Sequence, residues 1–157
     1  MAYGKEIIEY KQKIFSDIVN NSELVKALDA TDISENDEVM YKYVFPYSYI
    51  PDTIQEANCY ITFSLDVPRV STANYFFKEV VLQFTIICHQ SKMKTEYGAT
   101  RTDYIGHLIE KMFNGNQDYG DRLELVSSIE GHMDRAHRTR VLRFVTNDLN
   151  RGTGYCS

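Results

Sequence analysis

At 157 residues, with 43% apolar and 25% charged side chains, the chain fits one domain that buries roughly two-thirds of the surface its unfolded form exposes, with no need of a disulfide or metal. A net charge of −5 sets aside a generally basic nucleic-acid binder, and no apolar run approaches the ~20 residues of a helical membrane span. The opening MAYGKEIIEYKQK lacks the apolar core of a signal peptide, and Cys59, Cys88 and Cys156 are odd in number and unrelated in spacing; a soluble chain with reduced thiols, made in the cytoplasm, is expected.

The charge is unevenly spread. Residues 1–57 carry 5 Lys/Arg against 11 Asp/Glu, whereas residues 131–157 carry 5 Arg against 2 Asp. An acidic beginning and a basic end suit head-to-tail contact between copies of the chain, although a solvated surface with segregated charge reads the same way.

Along the chain, Ile7, Ile8, Ile14, Phe15, Ile18 and Val19 follow helical three-and-four spacing, continued by Val25 and Leu28. Asn20–Asn21–Ser22 interrupts it, so residues 5–29 predict a helix, a break and a short second helix with Ser22 as N-cap. Residues 30–57 are irregular, with acids from Asp32 to Glu38 and then Tyr41, Tyr43, Phe45, Tyr47 and Tyr49 alternating around Pro46. Pro46 confines such a segment to a sheet edge or an extended arm. The arm either engages a partner or folds back over its own core.

Asn58–Asp66 alternates Cys59, Ile61, Phe63 and Leu65 with polar residues, a half-buried strand. A loop at Val67–Ala73 joins it to Asn74–Gln90, the longest segment in one register and the expected central strand. Val80, Leu82, Phe84, Ile86 and Cys88 share one face. Val81 and Ile87 interrupt the other, which calls for apolar cover from the amino-terminal helix or a neighbouring subunit. Thr102–Asn114 predicts a helix whose apolar positions Tyr104, Ile105, Leu108, Ile109, Met112 and Phe113 lie over the Phe84 face, with Gly115 as C-cap. Arg122–Glu130 and Arg140–Asn147 predict a second hairpin closed by the loop Gly131–Thr139, and residues 148–157 an unpatterned tail. The sum is a single α+β domain over 1–157: an antiparallel sheet of two β-hairpins, with an amino-terminal helix and a central helix packed against it.

Chemistry is harder to find. His132, Asp134 and His137 have the residue types of a metal site, but Arg135 and Arg138 crowd the same loop and a solvated polar loop is the better reading. Cys88 and His89 are strand neighbours pointing to opposite faces, and His107 lies on a polar helix face with Asp103 and Lys111. Glycine-rich phosphate loops, GxSxG, HExxH and CxxC are absent from the sequence. No enzyme and no cofactor are expected.

The run ITFSLDV, loop, FFKEVVLQFTIICHQ, then the helix TDYIGHLIEKMF and the late hairpin, resembles the small head-to-tail joining (neck) proteins of tailed bacteriophages, most of all the tail terminator family. The resemblance covers residues 5–147 and rests on element order; the long Tyr-rich segment departs from it. It implies a virion protein that forms a homo-hexameric ring, caps the tail tube, meets the head connector on its other side, and lets DNA pass without sequence-specific binding. It implies no catalytic residue, metal or membrane contact. Candidate ring contacts are Tyr47, Tyr49, Arg69, Val81, Ile87, Asp134, Arg135, Arg138 and Arg140. Other readings are another neck component (a head-completion or tail-completion protein), a small α+β enzyme using His89, His107, His132 or His137, and a binding module docking through the Tyr-rich arm.

Overall fold

The computed structural model describes residues 2–48, 57–70 and 77–149. The alternating run around Phe84 becomes strand β3 (Phe77–His89), the centre of a five-stranded sheet. Strand β2 (Cys59–Val70) and strand β5 (His137–Leu149) flank it, both antiparallel. Outside them lie β1 (Val44–Phe45), parallel to β2, and β4 (Glu124–His132), antiparallel to β5. The sheet order is therefore β1-β2-β3-β5-β4, with β1 and β4 as its two edges. With helices α1 (Ala2–Val19), α2 (Ser22–Ala27) and α3 (Arg101–Phe113), the α+β expectation holds.

One face of the sheet carries the core. Register places Phe63 of β2, Phe84 of β3 and Leu142 of β5 in one row. Phe15 of α1 meets Phe63 at 5.2 Å between ring centroids, Phe63 meets Phe84 at 5.9 Å, and Phe84 meets Phe113 of α3 at 4.9 Å. Rings at these offsets add roughly 1 kcal/mol per pair beyond their burial. Gly106 lets α3 approach closely: a Cβ there would sit 3.0 Å from the Arg140 stem and 3.6 Å from Ile86 and Leu142.

Both α1 and α3 thus pack on the Phe84 face, and the expected contact of α1 with the Val81/Ile87 face is corrected. That face is nonetheless part of the interior, since Val81 and Ile87 are 4% and 3% exposed. At its β1 end the aromatic arm folds back: Tyr43 stacks on Tyr60 at 6.1 Å and Phe45 lies 6.2 Å from the same ring, while Tyr60 pairs with Ile87 in register. The Tyr43 hydroxyl donates to Asp32, and that bond holds the Asp32 carboxyl below its usual range. Residues 49–56, including Tyr49, lie outside the described residues.

Several boundaries move. Val67–Val70 belongs to β2 rather than to a loop, because the register shift between Asp66 and Arg69 makes a bulge in which Pro68 needs no ladder donor. Likewise Gly131, His132 and His137–Thr139 are strand, which leaves a turn of only Met133–Ala136. Asp148 and Leu149 extend β5, and residues 150–157 lie outside the described residues. The second helix is capped by the Asn21 side chain, which accepts from the Leu24 N–H, and not by Ser22. Gly115 ends α3 at φ +84°, where glycine has no Cβ penalty.

The thiol expectation is corrected as well. Cys59 and Cys88 are direct partners across β2 and β3, with Cα atoms 4.2 Å apart, and they form a disulfide. Their separation of 29 residues hides in the sequence what the register brings together.

Candidate functional site

The β4–β5 hairpin presents the arginine-rich end of the molecule. Its turn is built by Asp134, whose Oδ1 accepts from the N–H groups of Ala136 and His137, both at 2.8 Å, and from His137 Nδ1 at 3.1 Å. Partial desolvation opposes ionisation, but these donors together hold the Asp134 carboxyl below the usual carboxylate range. Asp134 is thus a turn-former, occupied from within its own loop.

The four arginines expected as ring contacts divide, three of them in this hairpin. Arg138 spends one guanidinium nitrogen on the carbonyls of Asp134 and Arg135, both at 3.3 Å. Arg140 lays its stem over Gly106, and its head donates to Asp103 at 3.0 Å and to Ser128 Oγ at 2.9 Å, tying β5 to α3 and β4. Arg135 is exposed and has no side-chain partner among the described residues; Arg143, which sequence reasoning passed over, is its equal. Arg69 sits at the β2 bulge opposite Glu79.

Between Leu125 and Ser127 the β4 register slips by one residue. Leu125 pairs with Phe144 on the helix-covered face, but beyond the slip Ile129 pairs with Val141 on the opposite face. Apolar residues before and after the slip therefore face opposite sides of the sheet. Ile129 ends 63% exposed and Val126, at the slip, 55% exposed. An open edge strand bearing exposed aliphatic residues is an unusual surface to leave bare. Asn114 caps one group along it, its Oδ1 accepting from the Leu125 N–H at 3.1 Å.

The opposite edge is made by the arm. Between Asp29 and Ser48 it carries Asp29, Asp32, Glu35, Asp37 and Glu38 against Lys42. Tyr41 and Tyr47 are 60% and 48% exposed there. Tyr47 rests edge-on against Phe45 at 5.8 Å. Tyr41 holds the left-handed conformation, φ 63°, with its ring 5.7 Å from Phe15 and its N–H donating to Val44 at 2.8 Å. An aromatic residue in that region is strained by roughly 1 kcal/mol or more, so its neighbours fix it there.

The four histidines gather only in part. His107 and His132 are exposed, and His132 lies opposite Arg138 at the end of the hairpin. His137 is fully buried, its ring meeting His89 at 5.3 Å, and His89 Nδ1 lies 2.8 Å from Ser91 Oγ. Two histidines and Asp134 do converge. Yet His137 Nε2 is buried without a hydrogen-bond partner among the described residues, and the hollow beside the turn is lined by His132, Met133, Asp134, Arg135 and Arg138, not by His137 or His89. Substrate in that hollow would not reach the buried ring. Among the described residues no group of three or more His, Cys, Asp or Glu is placed to hold a metal ion, and no helix is long and apolar enough to cross a membrane.

No curated protein matches the chain. Residues 12–146 match the family model YomW, and since this is most of the chain, the protein belongs to the YomW family and shares its phage association.

Proposed function

We propose that the chain is a structural protein of the tailed-phage virion, a non-enzymatic tail terminator that forms a ring, caps the tail tube and joins it to the head connector. The observation that carries the reading is the uneven surface of one sheet: carboxylates and exposed tyrosines at the β1 edge, and at the far side an arginine-rich turn and β5 beside a β4 edge that exposes Val126 and Ile129 along with Glu124 and Glu130. A ring of identical copies needs two different complementary patches on each subunit, and this layout supplies two. A net charge of −5 also suits a conduit that must not grip DNA as it passes. The phage-associated family agrees with the setting. A head-completion or tail-completion protein would use the same layout with different neighbours.

An enzyme reading rests on His137, Asp134 and His89, and it requires His137 to become accessible. Native mass spectrometry of the purified chain, alone and with tail tube protein, tests the proposal. The expected result is a closed oligomer that binds the end of tube assemblies; a chain that stays monomeric and ignores the tube refutes it.

A further inference from the structure

We infer that a hollow between α2, the loop after β3 and the start of α3 is a binding site for a small phosphate-bearing ligand, whose phosphate group meets Arg101, Lys26 and Lys94. Its volume of about 330 Å³ lies at the small end of ligand pockets, which span roughly 300–1,000 Å³. The charged side chains in its wall are Lys26, Asp29, Lys94, Glu96 and Arg101.

Arg101 gives the site a fixed centre. It is 9% exposed, and two of its nitrogens are committed within the chain: Nε donates to the Lys92 carbonyl and Nη1 to the Ala27 carbonyl. Those bonds set the guanidinium plane before any ligand arrives. Its Nη2 has no partner among the described residues and stays accessible, so a pair of N–H donors remains on a buried side chain that lines the hollow. The arginine-lined hollow beside Asp134 has no such centre, since Arg135 is exposed and Arg138 only half-buried.

The charges around Arg101 do not cancel. Asp29 pairs with Lys92 at 2.9 Å, which already answers that carboxylate. Lys26, Lys94 and Glu96 are exposed, and none of the three has a side-chain partner among the described residues. Three cations against the one free carboxylate leave an excess of positive charge close in size to the charge of about −1.5 to −2 on a phosphate monoester near neutral pH. A carboxylate ligand, with a single charge, matches less well. One fixed guanidinium arm with two mobile ammonium groups also suits the several oxygens of a phosphate. The frame is ordered by its own contacts. Lys94 bridges Thr100 across the loop, Thr95 Oγ1 donates to the Ala99 carbonyl and accepts from the Tyr97 N–H, and the Tyr97 ring lies flat on Tyr104 with centroids 4.2 Å apart.

Calorimetric titration of the full chain with inorganic phosphate, a nucleoside monophosphate and acetate tests the site. Phosphate should bind saturably at millimolar concentration, more weakly as salt rises, and acetate should not displace it. A nucleoside monophosphate that displaces phosphate marks an ester as the ligand; one that is excluded marks the free ion. Lys26→Gln with Lys94→Gln should weaken phosphate binding at least about tenfold, with thermal unfolding retained. Lys111→Gln with Arg135→Gln makes the same change in net charge at exposed positions elsewhere and should leave binding as it is. The site is refuted if phosphate shows no saturable binding, if acetate binds as well, if the lysine variant binds like the parent, or if the control variant loses as much. None of these readouts involves tail tubes, so the result stands apart from the proposed assembly role.

Discussion

Replacing Arg101 by Met offers a sharp test of how the helical layer is held. Arg101 opens α3 and is only 9% exposed. Its Nε donates to the Lys92 carbonyl at 2.7 Å, and its Nη1 donates to the Ala27 carbonyl at the end of α2 at 2.8 Å. One side chain thus ties α2, the loop after β3 and α3 together, with a cation placed at the negative end of a short helix. Methionine keeps most of the stem volume and removes both charged hydrogen bonds. Each such bond is worth about 1.5–3 kcal/mol, and each carbonyl left behind loses its partner. A loss of about 3–5 kcal/mol follows, which for a chain of this size lowers the unfolding midpoint by roughly 6–20 °C. Lysine, which reaches one carbonyl but cannot span two, should lose about half as much. Thermal and urea unfolding read all three proteins. A midpoint within 2 °C of the parent for the methionine variant, at the precision implied by that scale, would refute the clamp.

Other outcomes follow from single contacts. Tyr119 is fully buried and its hydroxyl donates to Asp17 at 2.8 Å, so Tyr119→Phe should cost about 1 kcal/mol in urea unfolding. Burial, then the Asp17 contact, raise the Tyr119 pKa above its ordinary value; the neutral form is favoured by folding, so this stability is complete below about pH 10 and declines as pH rises beyond it. A phenylalanine variant should flatten that alkaline limb, and an unchanged limb would contradict the assignment. Gly115→Ala forces a Cβ onto φ +84° and should destabilise by about 1 kcal/mol, with no change predicted if the turn could shift to negative φ. Thiol titration of the unfolded, unreduced protein should find one reactive cysteine of the three; reduction of Cys59–Cys88 should cost about 3.5 kcal/mol on a loop-entropy estimate, and three free thiols would contradict the pairing.

The elements legible in the sequence are those whose pattern is local. The period of two around Phe84 and the one-and-four spacing from Tyr104 to Phe113 each reflect burial of one face, so β3 and α3 stand out. The break at Asn20–Ser22 was equally plain, because those residues compete with the helix backbone for hydrogen bonds. What did not show was set by pairing between distant segments. Two residues of β1 become a strand only because β2 lies beside them, and Cys59 meets Cys88 only through register. The slip after Leu125 costs one residue and reverses the faces of everything beyond it, which puts Ile129 on the surface with no sign of it in the sequence pattern. Among the candidate contacts, which arginines remain unpaired depends on Asp103, Ser128 and the turn carbonyls, which lie apart from them in sequence or show no pattern there. Arg143 could have been found from its outward place on a strand otherwise rich in β-branched residues.

The tail role is tested most directly by the length of tubes polymerised from tail tube protein with and without this chain. Added chain should halt elongation at one tube end and be retained there as a ring. Tubes that grow to the same lengths with the chain present, and carry none of it at their ends, would contradict a terminating role.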